Sequence, residues 1–347
     1  MPAIPANILG LLEQVNQLTR ERYKIYVVGG LIRDLYYAQE NAWNDLDLVS
    51  EHPAAELGQF LADKLNCDLK VFPTFLTAKL CKLKLSGVEE IDLVTTRQES
   101  YLAPGALPSV ELADIKQDLF RRDFSLNSIA VALDPFYNWC RAQSDFEQLR
   151  PFLLDPTNGL VDLKSRQLRV LHSASFIDDP TRIYRGLRYL ARIDGQFEEN
   201  TEILLREALA SGALLTVSPA RKVNELKKII AENSVETTLR HLIAFDLLSS
   251  EGLIDPMKSA DFWNQLTGLA KISNLDIRWQ VFLLLVNFNR SIPFDQFQKY
   301  FSLSNRKALR LNELVTRFNI QLTSPTGLEE YSNLLVEAFS DSEQKFS

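Results

Sequence analysis

Asp45 and Asp47 stand two residues apart around Leu46, just before the apolar pair Leu48-Val49. In a strand, residues i and i+2 face the same way. The two carboxylates would therefore share one face while Leu46 takes the other. Like charges held side by side repel and call for a counter-charge. Mg²⁺ is a hard cation that takes oxygen ligands and keeps waters and substrate phosphates in its shell. The pair thus suits a divalent metal and a nucleoside triphosphate; the plainer alternative is a solvated strand end. Upstream, Ile25 to Val28 reads as a strand ending at Gly29-Gly30, and a helix pattern follows with Arg33 and Asp34 in its first turn. Glycine there lets the backbone approach a ligand and take positive φ. The helix start offers unpaired N–H groups to phosphate, and Arg33 can add a bidentate contact. An ordinary strand-to-helix turn is the alternative. Neither GxGxxG nor GxxxxGK[ST] occurs in this stretch, which counts against a dinucleotide-binding oxidoreductase and a P-loop NTPase.

Three later stretches offer further chemistry. Asp92 sits within the apolar run Ile91-Asp92-Leu93-Val94; a carboxylate so placed is costly unless paired. It is a candidate third metal ligand or a base for a ribose hydroxyl, with a local salt bridge as the alternative. In RRDFSLNSIAVAL, residues 121–133, a helical reading puts Leu126, Ile129, Ala130 and Leu133 on one face and Asp123 and Asn127 together at i, i+4. A carboxylate beside an amide can bind the hydroxyls of a ribose, and Arg121 or Arg122 beside them can hold a phosphate. The alternative is a well-capped helix with a solvated basic start. In FIDDPTRIYRGLRYLARI, residues 176–193, Pro180 suits a first helical turn capped by Asp178 or Asp179. Asp179 and Arg182, at i, i+3, would be surface neighbours. A carboxylate accepts and a guanidinium donates. Cytosine and adenine both present an exocyclic amine donor beside a ring-nitrogen acceptor, whereas uracil and guanine present the reverse. Such a pair favours C and A; Arg185 could reach phosphates or hold Asp179. A surface salt bridge, worth under about 1 kcal/mol, is the alternative.

The elements that must position these residues read as follows. Residues 1–20 form an amphipathic helix, 54–65 another, and Leu69–Phe72, Thr77–Leu85 and Glu90–Val94 are strands. Residues 95–119, with Pro104-Gly105 and Pro108, read as a long irregular loop beside the site. DPTNGLVDL, residues 155–163, is a turn-rich link, and strand signals vanish after it. Ser218-Pro219 opens a helix in which Arg221 and Glu225 read as structural. Helical patterns follow at 236–249, 259–271, 275–289, 294–301 and 304–318; Arg306, Lys307 and Arg310 in the last could touch an RNA backbone or form a solvated face.

Composition sets the outer bounds. The 347 residues suffice for two or three domains, and 46% hydrophobic with 24% charged is ordinary for a globular protein. A net charge of −7 means that any nucleic-acid partner needs a local basic face. Three cysteines without close pairing point to reduced thiols in a cytoplasm, and three scattered histidines speak against zinc. No secretory signal shows, and the apolar run Val281 to Val286 is far too short to span a bilayer. The reading is therefore cytoplasmic with no membrane partner.

Taken in order, VVGGLIRDLYY…NDLDLV, DLFRRDFSLNSIA, DPTNGLVDL, DDPTRIYRGLRYLARI and SPARKVNEL resemble the tRNA nucleotidyltransferase and bacterial poly(A) polymerase family, the class II CCA-adding enzymes. The matching stretches cover roughly residues 24–230; LAPGALPSV looks like the family's flexible loop, and SLSNRKALRL is similar to a common C-terminal helix. The resemblance implies an α+β, polymerase-β-like head over 1–155, a helical neck over 156–215, and an all-α, RNA-binding body and short tail over 216–347. It implies Mg²⁺ on Asp45 and Asp47, and Gly30 and Arg33 at the triphosphate. It further implies Arg121 or Arg122 with Asp123 and Asn127 at the nucleotide, Asp179 and Arg182 as the protein template, and Arg185 in support. The implied activity is template-independent addition of CMP or AMP, from CTP or ATP, to a tRNA 3′ end. Two features depart from the family: the template motif opens Asp178-Asp179 where Glu-Asp is usual, and no His-Asp phosphohydrolase motif follows. A poly(A) polymerase, a catalytically inactive RNA-binding relative and a small-molecule nucleotidyltransferase are the alternatives.

Overall fold

The computed structural model describes residues 4–38, 46–83, 90–255, 257 and 269–318. Asp45, most of the 259–271 segment, the side chain of Arg310 and everything past 318 lie outside them. The chain divides into two compact units, Met1–Asp179 with Gly195–Ser211, and Pro180–Asp194 with Gly212–Ser347.

The first unit is built on a seven-stranded sheet of β1 (Ile25–Val28), β2 (Asp47–Ser50), β3 (Asp68–Phe72), β4 (Thr77–Cys81), β5 (Glu90–Thr95), β8 (Ala130–Ala132) and β9 (Leu153–Leu154), in the order β3-β4-β5-β2-β1-β8-β9. A separate hairpin pairs β6 (Arg97–Ser100) with β7 (Ser109–Leu112). Within the large sheet only β2 and β5 run parallel; the other neighbours are antiparallel. Alternate residues face opposite sides, and each side has its own cover. On one, Val28, Val49 and Ala130 form a core with Ile115 and Leu119 of helix α4 (Ile115–Phe120). On the other, helix α3 (Ala54–Leu65) lies so close that a Cβ on Gly58 would stand 2.8 Å from Leu69 Cδ1. The α4 core fixes the end of that helix, and with it Arg121 and Arg122.

Three sequence expectations are corrected here. Residues 95–119 are not irregular: they hold the β6–β7 hairpin and α4, which Asp114 opens with a capping box to Gln117. Residues 121–133 are not a helix. They form a 3₁₀ turn at Ser125–Asn127 and strand β8, because Asp123 accepts its neighbour's N–H from Phe124 and Ser128 donates to the carbonyl of Leu119. Such side-chain bonds compete with helical ones. The helix expected to open at Pro180 is present as Thr181–Ile193, but neither Asp178 nor Asp179 is its N-cap. Ser175–Asp178 is a separate short helix, Asp179 is extended at φ −133° and ψ 89°, and Pro180 is the N-cap. A residue before proline is pushed out of the α region. Past 155 one short ladder, Gln167–Leu168 against Gln196–Phe197, joins the helices.

The second unit is helical. Helix Leu275–Asn289 runs through its middle with Val281 to Val286 all buried. Arg278 in that helix is 4% exposed and donates to the carbonyls of Ile230, Glu232, Ala270 and Ile272. Its charge thus faces carbonyls at the end of helix Pro219–Ala231, where the backbone dipole favours a cation. Arg188 and Arg192 close on Glu232, and Lys222 pairs with Glu251 at 2.6 Å.

Candidate active site

The sheet brings four of the predicted positions to one end. Strand β1 leaves the sheet at Gly29-Gly30, while its antiparallel neighbour β2 enters at Asp47. Strand β5 runs parallel to β2 with Asp47 and Asp92 as direct partners, so both carboxylates lie at the same end. They also share a face: Asp47 lies two residues before Val49, and Asp92 two before Val94, on the side covered by α4. Asp47 is exposed, whereas Asp92 is half-buried and paired to Lys79 Nζ at 3.2 Å. The same lysine binds Glu90 at 2.6 Å. The salt-bridge alternative for Asp92 is thus present together with its place beside Asp47. Two carboxylates in register offer hard oxygen donors of the kind Mg²⁺ takes. Among the described residues no group of three or more His, Cys, Asp or Glu side chains could hold a metal, and Asp45 lies outside those residues.

The glycine turn faces the segment before β8. Gly29 has φ 71°, and its N–H donates to the carbonyl of Ile129 at 3.1 Å. A Cβ on Gly29 would stand 3.1 Å from Arg122 Nη1 and 3.4 Å from the Asn127 carbonyl oxygen. Both the dihedral and the close approach require glycine. Helix α2 (Gly30–Tyr36) then turns Arg33 inward, where it is 1% exposed. Its Nε and Nη2 bind Asp34, and Nη1 donates to Asn127 Oδ1 at 2.6 Å. Asn127 in turn donates to Asp123 Oδ1 at 3.1 Å. Asp123 and Asn127 do meet, through the 3₁₀ turn and not across a helical face.

The structure separates the two arginines that the sequence left as alternatives. Arg121 binds Asp118 and Glu99, away from the glycine turn. Arg122 reaches Asp118 with Nη2 alone, at 2.9 Å, its Nε is buried without a hydrogen bond, and its Nη1 lies over Gly29. Asp118 and Glu99 were not singled out by sequence. Asp118 stands three and four residues before the two arginines, and that spacing was the available signal. Ser125 and Asp162 were missed as well: Ser125 Oγ donates to the buried Asp162 at 2.6 Å, and Arg169 closes on the same carboxylate. Asp155 caps the start of Gly159–Ser165 through the N–H groups of Gly159 and Leu160, so the turn-rich link is a helix locked against the 3₁₀ turn.

The predicted template residues flank the division between the units. Asp179 ends the first unit and is half-buried. Arg182 and Arg185 lie one turn apart on helix Thr181–Ile193 in the second. Arg182 is 4% exposed, so it is no solvated surface charge. Arg306 and Lys307 are exposed on helix Asn305–Phe318. The three cysteines are free thiols, and among the described residues no helix is long and apolar enough to cross a membrane.

Comparison with known proteins finds relatives over much of the chain. Residues 25–169 match the model of the poly A polymerase head domain. The chain is 34% identical over 281 residues to the A-adding tRNA nucleotidyltransferase of Aquifex aeolicus, covering 76% of this chain and 31% of the relative. It is 38% identical over 229 residues to the A-adding tRNA nucleotidyltransferase of Halalkalibacterium halodurans, covering 65% and 49%. Among solved structures, the apo form II of a CCA-adding enzyme superposes with a TM-score of 0.72 at 31% identity, covering 91% of this chain and 72% of that one. The chain spans less than half the length of these two curated relatives.

Proposed function

The chain belongs to the tRNA nucleotidyltransferase and poly(A) polymerase family, and from that membership we propose that it extends tRNA 3′ ends with AMP, CMP or both, without a nucleic-acid template. The observation that carries this reading is the register of Asp47 with Asp92 at the sheet end where Gly29 and Arg122 also lie. In the proposed reaction the RNA 3′-hydroxyl oxygen bonds to the α-phosphorus of ATP or CTP. The bond from that phosphorus to the bridging oxygen breaks, and pyrophosphate leaves. Asp45 and Asp47 would hold Mg²⁺, with Asp92 beside them, and a divalent cation bound there supplies charge neutralisation at the reacting phosphate. Gly29 and Gly30 admit the triphosphate close to the backbone, and Arg122 meets its charge. Arg33 holds Asn127, Arg121 holds Asp118, and Asp123 with Asn127 serves the ribose. Asp179 and Arg182 read the base, with Arg185 in support. The exposed Arg306 and Lys307 offer charge to an RNA backbone, and the compartment is the cytoplasm.

The test is incubation of the purified protein with tRNA lacking its 3′ end and with ATP alone, CTP alone, or both. Labelled nucleotide joins the RNA and pyrophosphate appears only with Mg²⁺. Two relatives are named for adding A, so ATP alone on a tRNA ending in CC is the first arm. Label on an aminoglycoside, or binding of RNA with no pyrophosphate, would replace this reading by one of its alternatives.

A second expectation concerns base choice. Arg182→Ala removes the guanidinium donors, so preference for ATP or CTP over UTP drops by roughly tenfold or more, the worth of one bidentate base contact. Competition assays with mixed nucleotides measure this. Unchanged preference in a folded variant removes Arg182 from the template.

A further inference from the structure

Between the hairpin and the glycine turn runs a continuous line of charge pairs. On β6, Glu99 Oε1 accepts from Arg97 Nη2 at 2.9 Å and from Arg121 Nη1 at 2.8 Å, and Tyr101 donates to its second oxygen at 3.1 Å. Arg121 continues to Asp118 Oδ1 through Nη2 at 2.7 Å and Nε at 2.9 Å. Asp118 Oδ2 then accepts from Arg122 Nη2 at 2.9 Å. At the hairpin end Arg97 also donates to the carbonyl of Phe75, and its N–H bonds Asp118 Oδ1 at 3.3 Å. The Asp118 side chain is 0% exposed. Burial alone would raise its pKa, but Arg122 and Arg121 outweigh burial and hold it below the ordinary aspartate value.

Two features show that this line does more than fill space. The line sets three guanidinium groups against two carboxylates. At its end stands Arg122, with one anchoring bond, to Asp118, a buried Nε that makes no hydrogen bond, and Nη1 over Gly29. Buried donors are nearly always satisfied, and Arg122 is held by Asp118 while its Nη1 lies beside the glycine turn. We propose that Asp118 is a positioning residue for Arg122, and that Glu99, acting through Arg121, fixes Asp118, so that the place of strand β6 sets how Arg122 meets the phosphates of a bound nucleotide. This inference rests on the nucleotide-site reading above and adds two residues to it.

The experiment measures binding of ATP with Mg²⁺, and of inorganic pyrophosphate, to wild type, Asp118→Asn, Glu99→Gln, Arg122→Lys and the Glu99→Gln/Arg122→Lys double variant. Loss of one charged hydrogen-bond partner weakens both probes by roughly tenfold for Asp118→Asn, and by about threefold for Glu99→Gln, which acts at one remove. Pyrophosphate carries no base or sugar, so an equal loss for both probes localises the effect to phosphate. The double variant binds no worse than Arg122→Lys alone, because Glu99 works only through that arginine; a merely structural role gives multiplied losses. Thermal melting reports folding, and where Asp118→Asn does not fold, Glu99→Gln with its cycle decides. Unchanged or tighter binding, or multiplied losses, overturns the inference alone. Wild-type protein that binds neither probe overturns the nucleotide site and this inference together.

Discussion

Asp47→Asn lowers nucleotide incorporation by at least about 100-fold while the protein still folds and melts within a few degrees of wild type. The activity loss follows from the proposed metal role, because groups that stabilise charge at a reacting phosphate are worth several kcal/mol each. The melting behaviour follows from placement: Asp47 is exposed at the edge of β2 with Asp92 as its direct neighbour. Asparagine matches aspartate in size, so the substitution at an exposed position opens no cavity. Asp92→Asn differs, since it also breaks the pair with Lys79. That pair is partly exposed and worth under about 1 kcal/mol, so this variant melts only slightly lower. Incorporation assays with ATP and CTP over a Mg²⁺ series, beside melting curves, measure all of this. Normal turnover by Asp47→Asn removes the metal-site proposal; a large drop in melting temperature shows that the residue serves the fold instead.

The strands and helices that carry an apolar face were legible in the sequence. Ile25–Val28 and Ala54–Leu65 fall where the apolar pattern puts them, and Leu275–Asn289 matches its expected range although Val281 to Val286 are buried on every side. The β6–β7 hairpin was hard to read because Arg97–Ser100 holds no apolar residue, and Val110 and Leu112 alone in Ser109–Leu112 are too short an alternation to mark a strand. In 121–133 nearly every residue past Arg122 is buried, so helical spacing among the apolar ones carried no information. The start of helix Thr181–Ile193 was legible from Pro180, which suits a first turn and pushes Asp179 out of the α region.

The candidate site was read as a set of positions but not as a set of bonds. Arg33, Arg121 and Arg122 all looked like phosphate ligands. All three bind carboxylates of their own chain: Asp34 for the first, Asp118 and Glu99 for the second, and Asp118 for the third. Arginine pairs readily with either anion, and only the fold decides which carboxylate comes within reach. The same holds for Asp123 and Asn127, which meet although the element that joins them is a turn.

Gly159→Ala is expected to be the most damaging single methyl group in the first unit. A Cβ there would stand 2.2 Å from the Ser125 carbonyl oxygen, 2.9 Å from its carbon and 3.0 Å from Ile129 Cγ1. Backbone atoms cannot swing aside as a side chain can, so either Gly159–Ser165 or the 3₁₀ turn must move. Neither is free to do so. Asp155 holds the helix start, Asp162 holds Ser125, and the turn carries Asn127 to Arg33. Overpacking of this kind costs about 3 kcal/mol, near 6–12 °C in melting temperature for a unit of this size. The same displacement shifts Asp123 and Asn127, so nucleotide affinity falls in whatever fraction remains folded. Gly10→Ala is the matched control. Gly10 lies inside helix Ala6–Thr19 with nothing within 4 Å of its Cβ position, and alanine there stabilises by roughly 0.5–1 kcal/mol through helix propensity alone. Paired melting curves and ATP titrations measure both. Equal melting of the two variants would mean that the Asp155–Asp162 segment does not press on the nucleotide turn as the coordinates place it.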